Sequence, residues 1–193
     1  MENTTIGVAL CGSFCTFSSV FSALRTLKET YPNLIPIVSP AVCSVDSRFG
    51  TAEENLRTIE EICARPALTT LSAVEPIGPK KLLDLLLIAP CTGNTLAKLA
   101  NGIADTPVTL AAKSHLRNNR PIVLAVSTND ALGAGAQNIG KLMARKNIYF
   151  VPFGQDDPAG KPCSLVADFH YLQPTIQLAL QGQQLQPILL AAK

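Results

Sequence analysis

The sequence predicts an α/β fold: a doubly wound parallel sheet with helices layered on both faces. Short, almost continuous apolar runs, such as residues 82–87 and 121–126, are typical of strands buried on both faces of a sheet. Between these runs, apolar residues recur at the spacing of amphipathic helices. Strands that alternate with helices pair in parallel through right-handed crossovers, which produces three layers. The 193 residues suit a single domain of this kind.

In the first half of the chain, apolar runs predict the strands and helical spacing predicts the helices. Thr51 and Glu54 have the spacing of a capping box, so a helix is expected to begin there and to end before Pro66. In order, the elements are a strand at 6–11, a turn at 12–13, a helix containing Val20, Leu24 and Leu27, a strand at 34–38, and a helix containing Leu56, Ile59, Ile62 and Cys63.

The second half continues the alternation of strands and helices, and Pro90 is expected to end its first strand. In order, the elements are a strand at 82–87, a helix from about Asn94 with an apolar face of Leu96, Leu99, Ala100 and Ile103, a helix at 107–116, a strand at 121–126, a helix at 138–145 and a strand at 148–151. The Gln-rich stretch 177–186 is interpreted as a surface helix and terminus. We therefore predict one domain over residues 1–193 with a Gln-rich C-terminal tail.

The composition predicts a self-associating protein that does not bind nucleic acid. Charged residues make up 16% of the chain, against about 25% in an average domain, and the mean hydropathy is +0.25. So little charge covers a monomer poorly, which favours a buried interface between copies. The net charge of +2 is scattered, without the basic stripe that binds nucleic acid.

The N-terminus and the cysteines predict a cytoplasmic protein without a membrane segment, metal or disulfide framework. The first apolar run, residues 6–10, is too short for a signal peptide or a membrane span. The six cysteines show no C-x-x-C pair, and the chain has only two histidines to join them as ligands.

Loops of small polar residues follow several predicted strands and indicate a ligand site. The carboxyl ends of parallel strands meet at one edge of the sheet, and helices that begin there offer unpaired N–H groups to an anion. Gly12 and Ser13 follow the first strand, and the loop before Asn94 follows the third. The first loop lacks the G-x-G-x-x-G pattern, and Ser39 stands where a dinucleotide site has an acidic residue. The loops therefore predict a phosphate-bearing ligand that is not a dinucleotide such as NAD.

Residues 90–105 resemble the signature segment of the homo-oligomeric flavin-containing cysteine decarboxylases, a family of FMN proteins. The segment has Pro90, then three residues, then Asn94-Thr95, and then residues 97–105. This resemblance implies a Rossmann-like flavoprotein domain and a trimer-based homo-oligomer with FMN between protomers. It places the phosphate near Gly12-Ser13 and the ring near Asn94-Thr95. The implied cofactor-binding residues are Gly12, Ser13, Phe14, Ser39, Pro90, Thr92, Gly93, Asn94, Thr95, Ser127 and Thr128.

The chain departs from the decarboxylase pattern in three places. Residues 91–93 are Cys-Thr-Gly where the family usually has Ala-Ser-Ala. The loop at 127–139 aligns Asn129 with the Asn of a Pro-Ala-Met-Asn motif but lacks the Pro and the Met. The stretch 65–73 lacks the His that the decarboxylases use. These departures argue against decarboxylation, and Cys91 is interpreted as a packing residue.

Two residues are the candidates for the chemistry. Asn129 occupies the motif position just described. Arg48, in the polar loop 46–51, is suited to hold a substrate carboxylate through two parallel hydrogen bonds. Further candidate cations are Lys98, Lys113 and Arg117, and for the two lysines a solvated helix surface is the favoured interpretation.

The resemblance covers the whole chain for one branch of the family, found in spore-forming bacteria. Residues 8–17, 46–51 and 89–95 carry it. It implies oxidation of a dihydropyridine dicarboxylate to pyridine-2,6-dicarboxylate in the mother-cell cytoplasm during sporulation. The implied partner is a separate polypeptide, similar to a nicotinamide-dependent dehydrogenase, that would bind NADP. The alternatives are an FMN-dependent decarboxylase of the same family and a non-catalytic flavin-binding or scaffold protein.

Overall fold

The computed structural model describes residues 3–191. Its strands are β1 Thr5–Leu10, β2 Asn33–Val38, β3 Leu85–Cys91, β4 Ile122–Thr128, β5 Ile148–Phe150, β6 Phe153–Gly154 and β7 Leu165–Ala167. Its α-helices are α1 Phe17–Thr30, α2 Pro40–Ser44, α3 Ala52–Cys63, α4 Leu71–Val74, α5 Gly93–Ala100, α6 Pro107–Leu116, α7 Ala136–Met143 and α8 Leu172–Ala179.

The predicted doubly wound α/β fold is confirmed. Strands β1 to β5 are parallel in the order β2-β1-β3-β4-β5, with Ile6 beside Leu85 and Leu86 beside Ile122. Helix α1 packs against α8, while α5 packs against α6 and α7. The strand order reverses direction between β1 and β3, and in open α/β sheets ligands bind beyond the carboxyl ends of the strands at such a point.

The capping box predicted at Thr51 is present. The Thr51 hydroxyl accepts a hydrogen bond from the Glu54 N–H at 3.1 Å, and the Glu54 carboxylate accepts one from the Thr51 N–H at 2.9 Å. Helix α3 then runs to Cys63, before Pro66, as expected. Every residue of β3 is buried, in agreement with a strand covered on both faces.

The prediction that Pro90 ends the third strand is wrong. Strand β3 continues through Pro90 to Cys91, and its pairing with β4 changes register between Ile88 and Cys91. A proline has no N–H to donate, so a strand accommodates it at an irregularity of this kind.

The helix after this strand is also shorter than its apolar spacing suggests. Helix α5 ends at Ala100, and Ile103 lies outside it with 47% of its surface exposed. Gly102 has a φ of +73°, and the N–H of Ile103 donates to the carbonyl of Lys98. This is a glycine-terminated C-cap, which stops the helix before Ile103.

Strands β6 and β7 were not predicted from the sequence. Strand β7 runs antiparallel to β4, with Ser127 beside Val166, and β6 runs antiparallel to β7. Strand β5 pairs with the first residues of β4, whereas β7 pairs with its last residues. The chain between β6 and β7 is therefore brought to the carboxyl edge of the sheet.

The Gln-rich stretch 177–186 lies mostly at the surface, as its glutamines predict, but its helical part ends at Ala179. Helix α8 buries Leu172, Thr175 and Ile176. Beyond it, the Gln184 side chain accepts from the Phe150 N–H and donates to the Phe150 carbonyl, both at 2.7 Å. The tail thus covers an edge of the sheet that would otherwise leave backbone groups unpaired. Among residues 3–191, no helix is long and apolar enough to span a bilayer.

Acidification is expected to destabilise the fold through His115. The ring is buried, and its Nε2 donates to the Pro121 carbonyl at 3.0 Å. Burial lowers the pKa of His115 from 6.5 to about 4, so between these values the unfolded chain binds a proton that the folded chain does not. The free energy of unfolding should therefore fall by about 3 kcal/mol as the pH drops through this window.

Urea unfolding at several pH values measures this effect. His115→Gln keeps a donor for the Pro121 carbonyl but cannot titrate, so its stability should vary less between pH 6.5 and 4. The same slope in both proteins would show that His115 is not the group responsible.

Candidate functional site

A cleft of about 680 Å³ lies over the carboxyl ends of β1, β3 and β4. Its walls come from the loops that follow these strands, from the loop before α3, and from the connection between β6 and β7. The lining residues are Gly12, Ser13, Phe14, Cys15, Ser47, Arg48, Phe49, Thr92, Gly93, Asn94, Ser127, Thr128, Asn129, Asp130, Asp156, Lys161, Ser164 and Val166.

The loops after β1 and β4 meet at the floor of this cleft. The hydroxyls of Ser13 and Ser127 lie 2.7 Å apart and share a hydrogen bond. Next to them, the Thr128 hydroxyl donates to the Asp130 carboxylate at 2.5 Å. Gly12 lies under the ring of Phe14, and a Cβ at Gly12 would come within 3.1 Å of the Ala41 Cβ. The floor is thus built of small side chains with hydroxyl groups.

The loop after β3 is shaped by the N-terminus of α5. The Thr92 hydroxyl accepts a hydrogen bond from the Thr95 N–H and so caps the helix. A Cβ at Gly93 would lie 2.7 Å from both the Asp130 Oδ1 and the Thr128 Oγ1. Only a glycine therefore lets the helix start this close to the loop after β4. The side chain of Asn94, the next residue, is exposed at the cleft.

Three of the predicted site residues lie behind the cleft and do not line it. Pro90 is buried within β3. The Thr95 hydroxyl is buried and donates to the Cys11 Sγ at 3.2 Å, which ties α5 to the end of β1. The Ser39 Oγ is buried and has no hydrogen-bond partner among residues 3–191. Ser39 precedes α2 but its side chain does not cap that helix.

Two thiols lie close beneath the same edge of the sheet. Burial raises the pKa of the Cys11 thiol to about 11, although hydrogen bonds involving Thr95 and Thr92 oppose the shift. Burial, together with the neighbouring Cys11, raises the pKa of the Cys91 thiol well above its usual value. Both thiols stay protonated at neutral pH, which agrees with the packing role expected for Cys91.

The two residues singled out for chemistry both line the cleft. Arg48 lies in the connection between α2 and α3, with its guanidinium 4.8 Å from the centre of the Phe49 ring. Asn129 is exposed in the loop after β4. The other candidate cations lie elsewhere: Lys98 forms an ion pair with Asp105 at 2.8 Å, and Lys113 and Arg117 are outside the cleft lining.

One wall of the cleft was missed from the sequence. It contains Asp156, Lys161 and Ser164, all in the connection between β6 and β7. The Lys161 Nζ donates to the Asp156 Oδ2 at 3.0 Å, and Ser164 also hydrogen-bonds the Asp156 carboxylate. The polar Pro- and Gly-containing run 156–162, which follows a strand, was a signal for a loop at this edge.

The cleft offers few fixed charges and many neutral polar groups. Hydroxyls at its floor and an amide at the N-terminus of α5 suit a phosphate ester and a polar chain. Its cations are Arg48 and Lys161, and its anions are Asp130 and Asp156. Among residues 3–191, these groups could hold and orient a polar ligand, but the cleft lining contains no histidine that could act as a general base.

The chain is similar in sequence to known proteins over most of its length. Residues 1–168 match the sequence profile of the Flavoprotein family. The B subunit of dipicolinate synthase from Bacillus subtilis is 47% identical over 189 residues, which are 98% of this chain and 94% of that protein.

Two solved structures are similar to the fold. The crystal structure of the dipicolinate synthase B subunit from Bacillus halodurans superposes with a TM-score of 0.90 at 44% identity, covering 100% of this chain and 98% of the other. The structure of SpaF, an FMN-dependent cysteine decarboxylase, has a TM-score of 0.67 at 24% identity, covering 93% of this chain and 97% of the other. The likeness to SpaF shows the fold alone.

Proposed function

The chain belongs to the flavoprotein family, and from this premise we propose that it is the FMN-binding component of a dipicolinate synthase. In this proposal it acts with the dehydrogenase-like A subunit of that enzyme to oxidise a dihydrodipicolinate-type intermediate to pyridine-2,6-dicarboxylate. The reaction takes place in the mother-cell cytoplasm of a spore-forming bacterium. The observation that carries the proposal is the cleft at the point where the strand order reverses, between β1 and β3. The chain that forms this cleft is 47% identical to one component of such a synthase.

The residues around the cleft fit FMN. Gly12 and Gly93 have no Cβ, and this lets the two loops lie close to neighbouring residues that a Cβ would contact. Ser13 and Ser127 supply hydroxyls for the phosphate, and Asn94 supplies an amide for the ribityl chain or the ring. The unpaired Ser39 hydroxyl lies beside the first loop, since the Ser39 N–H donates to the Leu10 carbonyl.

The remaining residues of the cleft bind and orient the substrate. A bound flavin supplies a two-electron acceptor for the aromatisation of a dihydropyridine. Arg48 pairs with a substrate carboxylate, and the Phe49 ring keeps the guanidinium at the rim of the cleft. Asn129 donates a hydrogen bond to the ligand from the opposite loop.

The dehydrogenase-like partner completes the machinery in this proposal. Aromatisation of the dihydropyridine removes a hydride and a proton, so the two electrons that a bound flavin would accept have to be passed on, and the loops contain no dinucleotide fingerprint for that step. A nicotinamide-binding partner that holds NADP would accept these electrons. We also propose that the chain forms a trimer-based homo-oligomer that covers the exposed rim, where Phe49 and Asn94 lie.

A rival activity is decarboxylation, as in SpaF. The described stretch 65–73 has no histidine, and both histidines of the chain lie away from the cleft lining. A second rival is a scaffold protein that holds flavin without chemistry. Two assays distinguish the three functions. A decarboxylase releases carbon dioxide from a cysteine-terminated substrate, a synthase component forms the dicarboxylate with the dehydrogenase-like partner, and a scaffold protein does neither.

Asn94→Leu tests the cofactor site. The change removes an exposed amide at the cleft and leaves its polar partner on the ligand unpaired, so FMN affinity should fall by about 1–3 kcal/mol. Titration with FMN, followed by the visible spectrum, gives the dissociation constant. Asn3→Leu, outside the cleft lining and exposed, is the control and should bind FMN as the unchanged chain does. Equal affinity in Asn94→Leu would remove this residue from the site.

A further inference from the structure

Arg48 and Lys161, the two cations of the cleft, come from loops on opposite sides of the β1–β3 strand pair. Arg48 follows α2, in the connection that leaves β2, whereas Lys161 lies between β6 and β7. In the sheet, β2 is on one side of the β1–β3 pair and β7 is on the other, beyond β4. The two cations that line the cleft therefore come from loops on either side of the β1–β3 pair.

Lys161 is held in the cleft by its neighbours. Its ammonium donates to Asp156, whose carboxylate is also bound by Ser164. The hydrogen bond with Asp156 raises the pKa of Lys161, so the side chain remains cationic. An ammonium has three protons, and the contact with Asp156 uses one.

The other charged groups of the cleft, Asp130 and Asp156, are acidic and cannot take the place of Arg48 and Lys161. Asp130 accepts a hydrogen bond from Thr128 at the floor, close to where a Cβ of Gly93 would lie. Asp156 is engaged by Lys161 and Ser164. A ligand with a single carboxylate needs only one of the two walls, whereas a dicarboxylate can engage both.

We propose that Lys161 is a second carboxylate-binding residue, and that Arg48 and Lys161 together make the cleft selective for planar dicarboxylates. This inference rests on the proposed function, because it names the feature of that substrate which the cleft recognises. It adds a specificity residue on a segment that forms no part of the phosphate-binding loops.

The test is calorimetric titration of the FMN-saturated protein with pyridine-2,6-dicarboxylate and with pyridine-2-carboxylate. The unchanged chain should bind the dicarboxylate at least about tenfold more tightly. In Lys161→Met this preference should fall by about tenfold, because one charged hydrogen bond is lost, while FMN affinity stays the same. Lys161→Arg should recover most of the preference. Lys146→Met, an exposed lysine outside the cleft lining, should not change it.

Three results would overturn the inference. The first is that the unchanged chain shows no preference for the dicarboxylate. The second is that Lys161→Met weakens the binding of both pyridine carboxylates equally. Loss of FMN affinity in Lys161→Met would instead assign the lysine to the cofactor phosphate. The proposed function fails separately, if a mixture with the dehydrogenase-like partner forms no pyridine-2,6-dicarboxylate although the Lys161-dependent preference is present.

Discussion

Gly93→Ala is expected to weaken FMN binding by tenfold or more. The added Cβ would lie 2.7 Å from the Thr128 Oγ1 and the Asp130 Oδ1, much closer than van der Waals contact. Relief requires that the loop after β4 move away from the N-terminus of α5, which breaks the arrangement of polar groups at the cleft. The free energy of unfolding should also fall, by about 1–3 kcal/mol, as for other overpacked sites.

Gly140→Ala is the matched control for this change. Gly140 lies inside α7, and no described atom is within 4 Å of the position of its Cβ. Alanine favours the helix, so this variant should gain about 0.5–1 kcal/mol and bind FMN normally. An FMN dissociation constant for Gly93→Ala equal to that of Gly140→Ala would contradict the placement of the cofactor at this loop.

Arg48→Ala is expected to lower kcat/KM of the reconstituted two-chain enzyme roughly tenfold to hundredfold. This corresponds to a loss of about 1.5–3 kcal/mol of transition-state stabilisation. The guanidinium at the rim pairs with substrate and not with the cofactor in this account, so FMN affinity should not change. The kcat/KM of Arg48→Lys should lie between the values of the unchanged chain and of Arg48→Ala, because an ammonium cannot make the bidentate contact.

Arg57→Ala controls for the loss of an exposed arginine. Arg57 lies on α3 and pairs with Glu61 one turn away at 3.8 Å, outside the cleft lining. Its removal should leave turnover unchanged. If Arg48→Ala weakened FMN binding as much as it lowered turnover, Arg48 would belong to the cofactor site.

The parts of this fold that the sequence predicted are those set by local patterns. Helix α6 occupies residues 107–116 as expected, because a proline opens it and apolar residues repeat through it. The capping box at Thr51 needs only two side chains three residues apart. The loops at the carboxyl edge followed from the alternation of strands and helices.

The features that the sequence missed depend on distant parts of the chain. Pro90 stays within β3 because the pairing with β4 shifts beside it, which the local sequence does not record. Strands β6 and β7 have two and three residues, too few for a periodic signal, so Lys161 was not placed at the cleft.

The directions of the side chains at the site could not be predicted from the local sequence either. Asn94 and Thr95 are neighbours in one motif, yet Asn94 lines the cleft while the Thr95 hydroxyl binds Cys11 in the core. Consecutive residues at a helix N-terminus point in different directions, and the distant contact of Thr95 with Cys11 leaves Asn94 as the one that faces the cleft.

Formation of pyridine-2,6-dicarboxylate by the reconstituted enzyme tests the central claim most directly. The purified chain is mixed with the dehydrogenase-like partner, FMN, NADP and the dihydro intermediate, and the absorbance of the product is followed. The account predicts rapid formation only when both chains and FMN are present. Full activity from this chain alone, or no stimulation of the partner when this chain is added, would contradict the account.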